Sequence, residues 1–169
     1  MKRLGVLLVT VGVATLALLM GAVAHADSPQ DSAVGSITTI SEHAGLTVTT
    51  TLQAFSNPDG SSASGFFTFE TTGPSGGTGN FSAHVTCLRV SGNQATVGFV
   101  IDHASGAASG LVGTADVDFI QDNGLPVHSQ AVDRQDLNPN TGYTGGATCP
   151  AWQYPKFLAL RGNFTVTDT

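Results

Sequence analysis

Apolar residues in this chain recur at every second position, in runs the length of a strand. That period places alternate side chains on opposite faces of a pleated ribbon. Val48, Thr50, Leu52 and Ala54 share one face, and Thr47, Thr49, Thr51 and Gln53 share the other. Phe67 and Phe69 pair in the same way. Phe81, Ala83, Val85 and Cys87 alternate with Ser82, His84 and Thr86. Ala95, Val97, Phe99 and Ile101 form the next apolar face. Further on, Ala115, Val117 and Phe119 oppose Asp116 and Asp118. Leu158, Leu160, Phe164 and Val166 close the pattern. The many β-branched residues suit a half-buried pleated surface. Turn signals separate the runs at Asn57-Pro58-Asp59-Gly60, Gly73–Gly77, Gly92-Asn93 and Asp122-Asn123-Gly124. No helical period appears after the N-terminal apolar stretch. About seven to nine short strands predict an all-β, single-domain antiparallel β-sandwich, with a small β-barrel as the alternative.

Two local features refine that expectation. Leu88 and Val90 continue their run in the opposite phase to Val85, which points to a bulge or to a strand covered on both faces. The Gly92-Asn93 pair between two apolar runs marks a hairpin. Residues 27–35 are polar and read as a flexible leader, so the domain spans 36–169. Residues 127–132 read as a short strand, and Asp133–Pro155 as a long polar loop.

The first 26 residues have a different character. Met1-Lys2-Arg3 is basic, Leu4 to Val23 is apolar, and Ala24-His25-Ala26 is a small-x-small site before polar Asp27. This is the layout of a secretory signal peptide cleaved after Ala26. Its removal leaves four of the six basic residues (Arg89, Arg134, Lys156, Arg161) against twelve acidic ones, a formal charge of −8. So few cations argue against nucleic acid and, after signal cleavage, against anionic membranes as partners. An exported chain also favours pairing its two cysteines, Cys87 and Cys149, in a structural disulfide.

A set of segments carries a resemblance. Phe67-x-Phe69, Gly73-Pro74-Ser75-Gly76 and Gly79-x-Phe81 lead into Val85-x-Cys87-Leu88-x-Val90-x-Gly92-Asn93-x-Ala95, followed by Asp122-Asn123-Gly124 and Cys149-Pro150. Over residues 66–168 the chain resembles a loose group of small secreted β-rich proteins from bacteria, chiefly actinobacteria. The resemblance implies a secreted β-rich domain and carries over no catalytic residue.

Candidate chemistry is sparse. Gly73-Pro74-Ser75-Gly76-Gly77 matches Gly-x-Ser-x-Gly in form, but nothing helical follows, so a turn explains it better. Asp116, Asp118 and Asp122 offer oxygens for Ca²⁺, in a spacing unlike the EF-hand loop. The plainer reading is a solvated strand face ending in a turn. His43, His84, His103 and His128 lack zinc-ligand spacing, and Glu42 and Glu70 form no glycosidase pair. Tyr143, Trp152 and Tyr154 gather in the long loop, where they either stack on sugar rings or pin the loop to the sheet. The sequence therefore points to a secreted, non-enzymatic domain, an extracellular binding or surface- or matrix-associated module whose partner is an extracellular ligand or glycan. A secreted hydrolase and a Ca²⁺-stabilised adhesion module are the alternatives. No other cofactor is implied.

Overall fold

The computed structural model describes residues 29–40, 46–73, 78–124, 132–137 and 141–169. The signal peptide over 1–26, His43, Glu42, His128, the Ser75 turn and most of the strand read at 127–132 lie outside the described residues.

The fold is all-β and antiparallel. Among the described residues nine strands follow one another: β1 (Asp31–Ile40), β2 (Thr47–Ser56), β3 (Ser64–Thr72), β4 (Gly79–Ser91), β5 (Gln94–Gly106), β6 (Ala115–Gln121), β7 (Arg134–Leu137), β8 (Phe157–Leu158) and β9 (Arg161–Thr167). They form a single sheet in the order β8-β7-β6-β5-β4-β3-β2-β1-β9. One continuous sheet replaces the two layers of a sandwich, and the barrel-like alternative describes it. The sheet curls into a half-barrel. Its inner face collects Ile37, Leu52, Phe67, Phe99, Ile120 and Phe164 from six strands into one core. Phe67 and Phe99 stack with ring centroids 4.2 Å apart, and Phe69 and Phe81 with centroids 4.9 Å apart.

The two ends of the sheet are brought together by one stretch of chain. Phe157-Leu158 pairs with β7, and three residues later Arg161 begins to pair with β1. Between them, Ala159 N–H donates to the Asp133 carbonyl at 2.9 Å, and Leu160 N–H donates to the Thr38 carbonyl at 2.7 Å. Among the described residues, the far edge of β9 has no strand partner. Its amides donate to carboxylates instead: Phe164 N–H to Asp133 Oδ2 at 2.6 Å and Val166 N–H to Asp122 Oδ2 at 2.9 Å. Asp133 Oδ1 also accepts from Asn123 N–H at 2.8 Å, and Asp122 Oδ1 from Gly124 N–H at 2.7 Å. Side-chain oxygens thus stitch a seam that a ladder would close in a complete barrel.

The structure departs from the sequence expectation at three places. Asp31–Gly35, assigned to the leader, is the first half of β1 and is paired along its length to β2. Ladder bonds are made by the backbone, so polar side chains did not prevent them. Within Asp133–Pro155, Arg134–Leu137 is a strand, too short to show a period. The third concerns β6. The register sets Val97 opposite Asp118 and Phe99 opposite Asp116, so both aspartates face the barrel interior. Val117 and Phe119 are fully buried, as their apolar character demands, but on the outer face. The segment that carries Cys149 lies over that face, with Tyr143 against Gly98, the partner of Val117, and Cys149 Sγ at the carbonyl of Thr96, the partner of Phe119. A bulge is present near Leu88: the β4–β5 register slips between Val85 and Cys87. That slip turns Leu88 inward and Cys87 outward.

Candidate functional site

Outward Cys87 is bonded to Cys149, with Cα atoms 5.4 Å apart. The bond fastens residues 141–152 as a flap over the outer face of β5 and β6. Tyr143 hydroxyl shares a hydrogen bond with Thr86 Oγ1 at 2.6 Å and donates to the Gly146 carbonyl. The ring lies on Gly98, where an added Cβ would come within 2.5 Å of it, so a bare backbone is required at that position. Trp152 Nε1–H donates to the Ile120 carbonyl at 3.3 Å. Tyr143 and Trp152 are therefore engaged in pinning the flap. Tyr154 stands more than half exposed, edge-on to Trp152 and under the Arg134 guanidinium, which sits 5.1 Å from its ring centre.

The three aspartates read as Ca²⁺ ligands do not share one open site. Asp118 is fully buried inside the half-barrel and accepts from Gln135 Nε2 at 2.7 Å. The same Nε2 donates to Thr50 Oγ1 at 2.9 Å, linking β7 to β2 across the interior. Burial holds the Asp118 carboxyl well above the usual carboxylate range, with the Asp116 and Asp136 charges adding to the effect. Asp118 Oδ1 and Gln135 Oε1 are buried acceptors with no donor among the described residues. A proton on the carboxyl turns one of those acceptors into a donor. Asp116 is pushed up to about 6 by burial, and its Oδ1 accepts from Val117 N–H. Asp122 has both oxygens taken by the seam amides. Among the described residues, no group of three or more His, Cys, Asp or Glu converges on a metal-sized site.

A shallow feature open to a ligand lies on the outer face of β2–β5. Cross-strand pairing lines up side chains in rows that run across the strands. Thr51, Thr68, Ser82 and His103 make one row, and Thr49, Glu70, Asn80 and Ser105 the next. Together they line a shallow trough of about 430 Å³. On β1, Ser36 and Thr38 extend the rows, with Ser36 Oγ 2.9 Å from Thr51 Oγ1 and Thr38 Oγ1 3.3 Å from Thr49 Oγ1. Ser105 Oγ donates to Asn80 Oδ1 at 2.7 Å. Neighbouring strands repeat at about 4.8 Å, so each row presents hydroxyl and amide groups at that spacing. A third row runs Gln53, Phe66, His84 and Val100. Phe66 is an exposed apolar ring there, and His84 Nδ1 lies 2.7 Å from Asp102 Oδ1 at the surface.

The sequence showed the individual polar positions of this face, such as Thr47, Thr49 and Thr51. It did not show the rows, because a row joins residues from four strands. The signal available was the run of threonines opposite the apolar face of β2.

Comparison with protein-family models, with curated proteins and with solved structures finds no match to this chain.

Proposed function

We propose that the protein is an extracellular, non-enzymatic binding module that takes a hydroxyl-rich ligand, a glycan by class, in the outer trough. The observation that carries this reading is the pair of polar rows across β2–β5. Hydroxyls and amides both give and accept hydrogen bonds, as sugar hydroxyls do. Glu70 adds an acceptor for a strong bond, and Phe66 beside the rows offers a face on which the apolar side of a sugar ring packs. The disulfide supports an oxidising compartment, and the N-terminal layout supports export.

A glycan array followed by titration tests this reading. Thr51→Val and Thr68→Val keep the β-branched shape and remove two hydroxyls. At about 1 kcal/mol for each lost bond, the double variant should bind its glycan about tenfold to thirtyfold more weakly. Unchanged affinity in the double variant would place the ligand elsewhere. The hydrolase reading rests on the His84–Asp102 contact, in which a carboxylate holds the ring through Nδ1. Turnover of a bound glycan, abolished by His84→Gln, would put that reading first.

A further inference from the structure

The segment that joins the two ends of the sheet has an unusual outer face. Along 154–160, Pro155 and Ala159 are buried and Phe157 is half-buried. The alternate positions point outward and would be polar on a solvated strand. They are Tyr154, Lys156, Leu158 and Leu160. Tyr154 is 58% exposed, Leu158 47% and Leu160 57%. Three of the seven large apolar residues exposed among the described residues thus lie within seven positions of one another.

Cations gather at the same place. Arg134 is the direct cross-strand partner of Leu158, and its guanidinium covers the Tyr154 ring. Lys156 has a 70% exposed side chain, with the nearly buried Asp136 carboxylate 3.8 Å away. Arg161 follows Leu160 and is exposed. These are three of the four basic residues beyond position 26, in a stretch whose formal charge is −8. The nearest seam carboxylate, Asp133, already accepts two backbone amides. An average over the chain hides this concentration, which exists only because β7 lies beside β8.

The geometry points to this face as a docking surface for a bilayer that exposes anionic headgroups. Leu158, Leu160 and Tyr154 would enter the headgroup boundary while Arg134, Lys156 and Arg161 meet the lipid charge. A second copy of the chain fits less well, because a two-fold contact through this face sets the same cations against each other.

The test is vesicle co-sedimentation of the protein recovered from culture supernatant, its first residue checked by mass spectrometry. Vesicles of phosphatidylglycerol and phosphatidylcholine are compared with phosphatidylcholine alone. Three cations, one of them offset by Asp136, predict a preference on the order of thirtyfold for the anionic vesicles, shrinking as salt rises. Leu158→Asp/Leu160→Asp and Lys156→Glu/Arg161→Glu should each abolish that preference. Both alter exposed side chains, and an unchanged circular dichroism spectrum confirms the fold. Every variant has the same N-terminus, so binding through residues 4–23 would leave all of them equal to the parent and would overturn the proposal. Equal partition into both vesicle types would overturn it as well. So would a salt-independent dimer that Leu158→Asp/Leu160→Asp dissociates, because the face would then be an interface between copies.

Discussion

Breaking the Cys87–Cys149 bond, by reduction or by replacing both residues with Ala, separates what tethers the flap from what holds the barrel. The bond closes a loop with a sequence separation of 62, and in the chain-entropy model its loss destabilises the fold by about 4 kcal/mol. For a domain of this size that corresponds to a fall in melting temperature of about 12–16 °C. The structure adds a local term. Docking the flap covers Val117 and Phe119, each worth about 1.5–3 kcal/mol when buried. The hydrogen bonds of Tyr143 and Trp152 add about 1 kcal/mol apiece. Against this stands the ordering of residues 141–152, at about 1–2 kcal/mol for each residue fixed. The ordering cost is the larger, so the flap does not stay down without its tether. Hydrogen exchange followed by mass spectrometry, with and without reductant, is the assay. Amides in 141–152 should lose protection first, while β3, β4 and β5 keep theirs in conditions where the barrel remains folded. If the reduced protein keeps the flap protected, or if flap and barrel lose protection together, the tether argument is refuted.

The interior carboxyl gives a signed pH prediction. Asp118 holds its proton in the fold to a higher pH than in the unfolded chain, so this group destabilises the domain as pH rises above about 4. Asp116 adds to the loss between about pH 4 and 6. Asp118→Asn keeps the shape, carries no charge and supplies a donor where Gln135 Oε1 has none among the described residues. It should raise the urea midpoint at pH 7 and flatten the pH dependence; a lower midpoint at pH 7 would contradict the burial argument. Asp133→Ala strips the acceptor from the Phe164 and Asn123 amides and should cost about 2–4 kcal/mol in urea denaturation, with exchange rising first along β9. A chelator should leave the melting temperature unchanged, because Asp122 already accepts from Gly124 and Val166 and Asp118 is sealed inside; a clear drop would revive the Ca²⁺ reading.

Alternation made the strands legible. Phe67, Phe81, Val85, Val97, Phe99 and Phe164 are buried where the period of two put them, because a pleat forces alternate side chains onto one face. The phase change at Leu88 allowed a bulge or a strand covered on both faces, and the register slip between Val85 and Cys87 decides for the bulge. The hairpin at Gly92-Asn93 was legible because few residues tolerate its turn geometry. The cysteine pair followed from count and compartment rather than from geometry.

β6 marks where this reasoning ends. Its alternation separated Asp116 and Asp118 correctly from Val117 and Phe119, but a period of two does not say which face is the inside. The flap decided that by covering the outer face of β6, which left the aspartates pointing inward to Gln135 and Thr50. One curled sheet rather than two layers was likewise a tertiary outcome, since both architectures demand the same alternation. What separates them is where the last strand pairs, and here β8 and β9 divide between β7 and β1. The polar rows of the trough and the cations beside Leu158 arise in the same way. Each joins residues from separate strands, and local sequence carries propensity and period but no record of cross-strand neighbours.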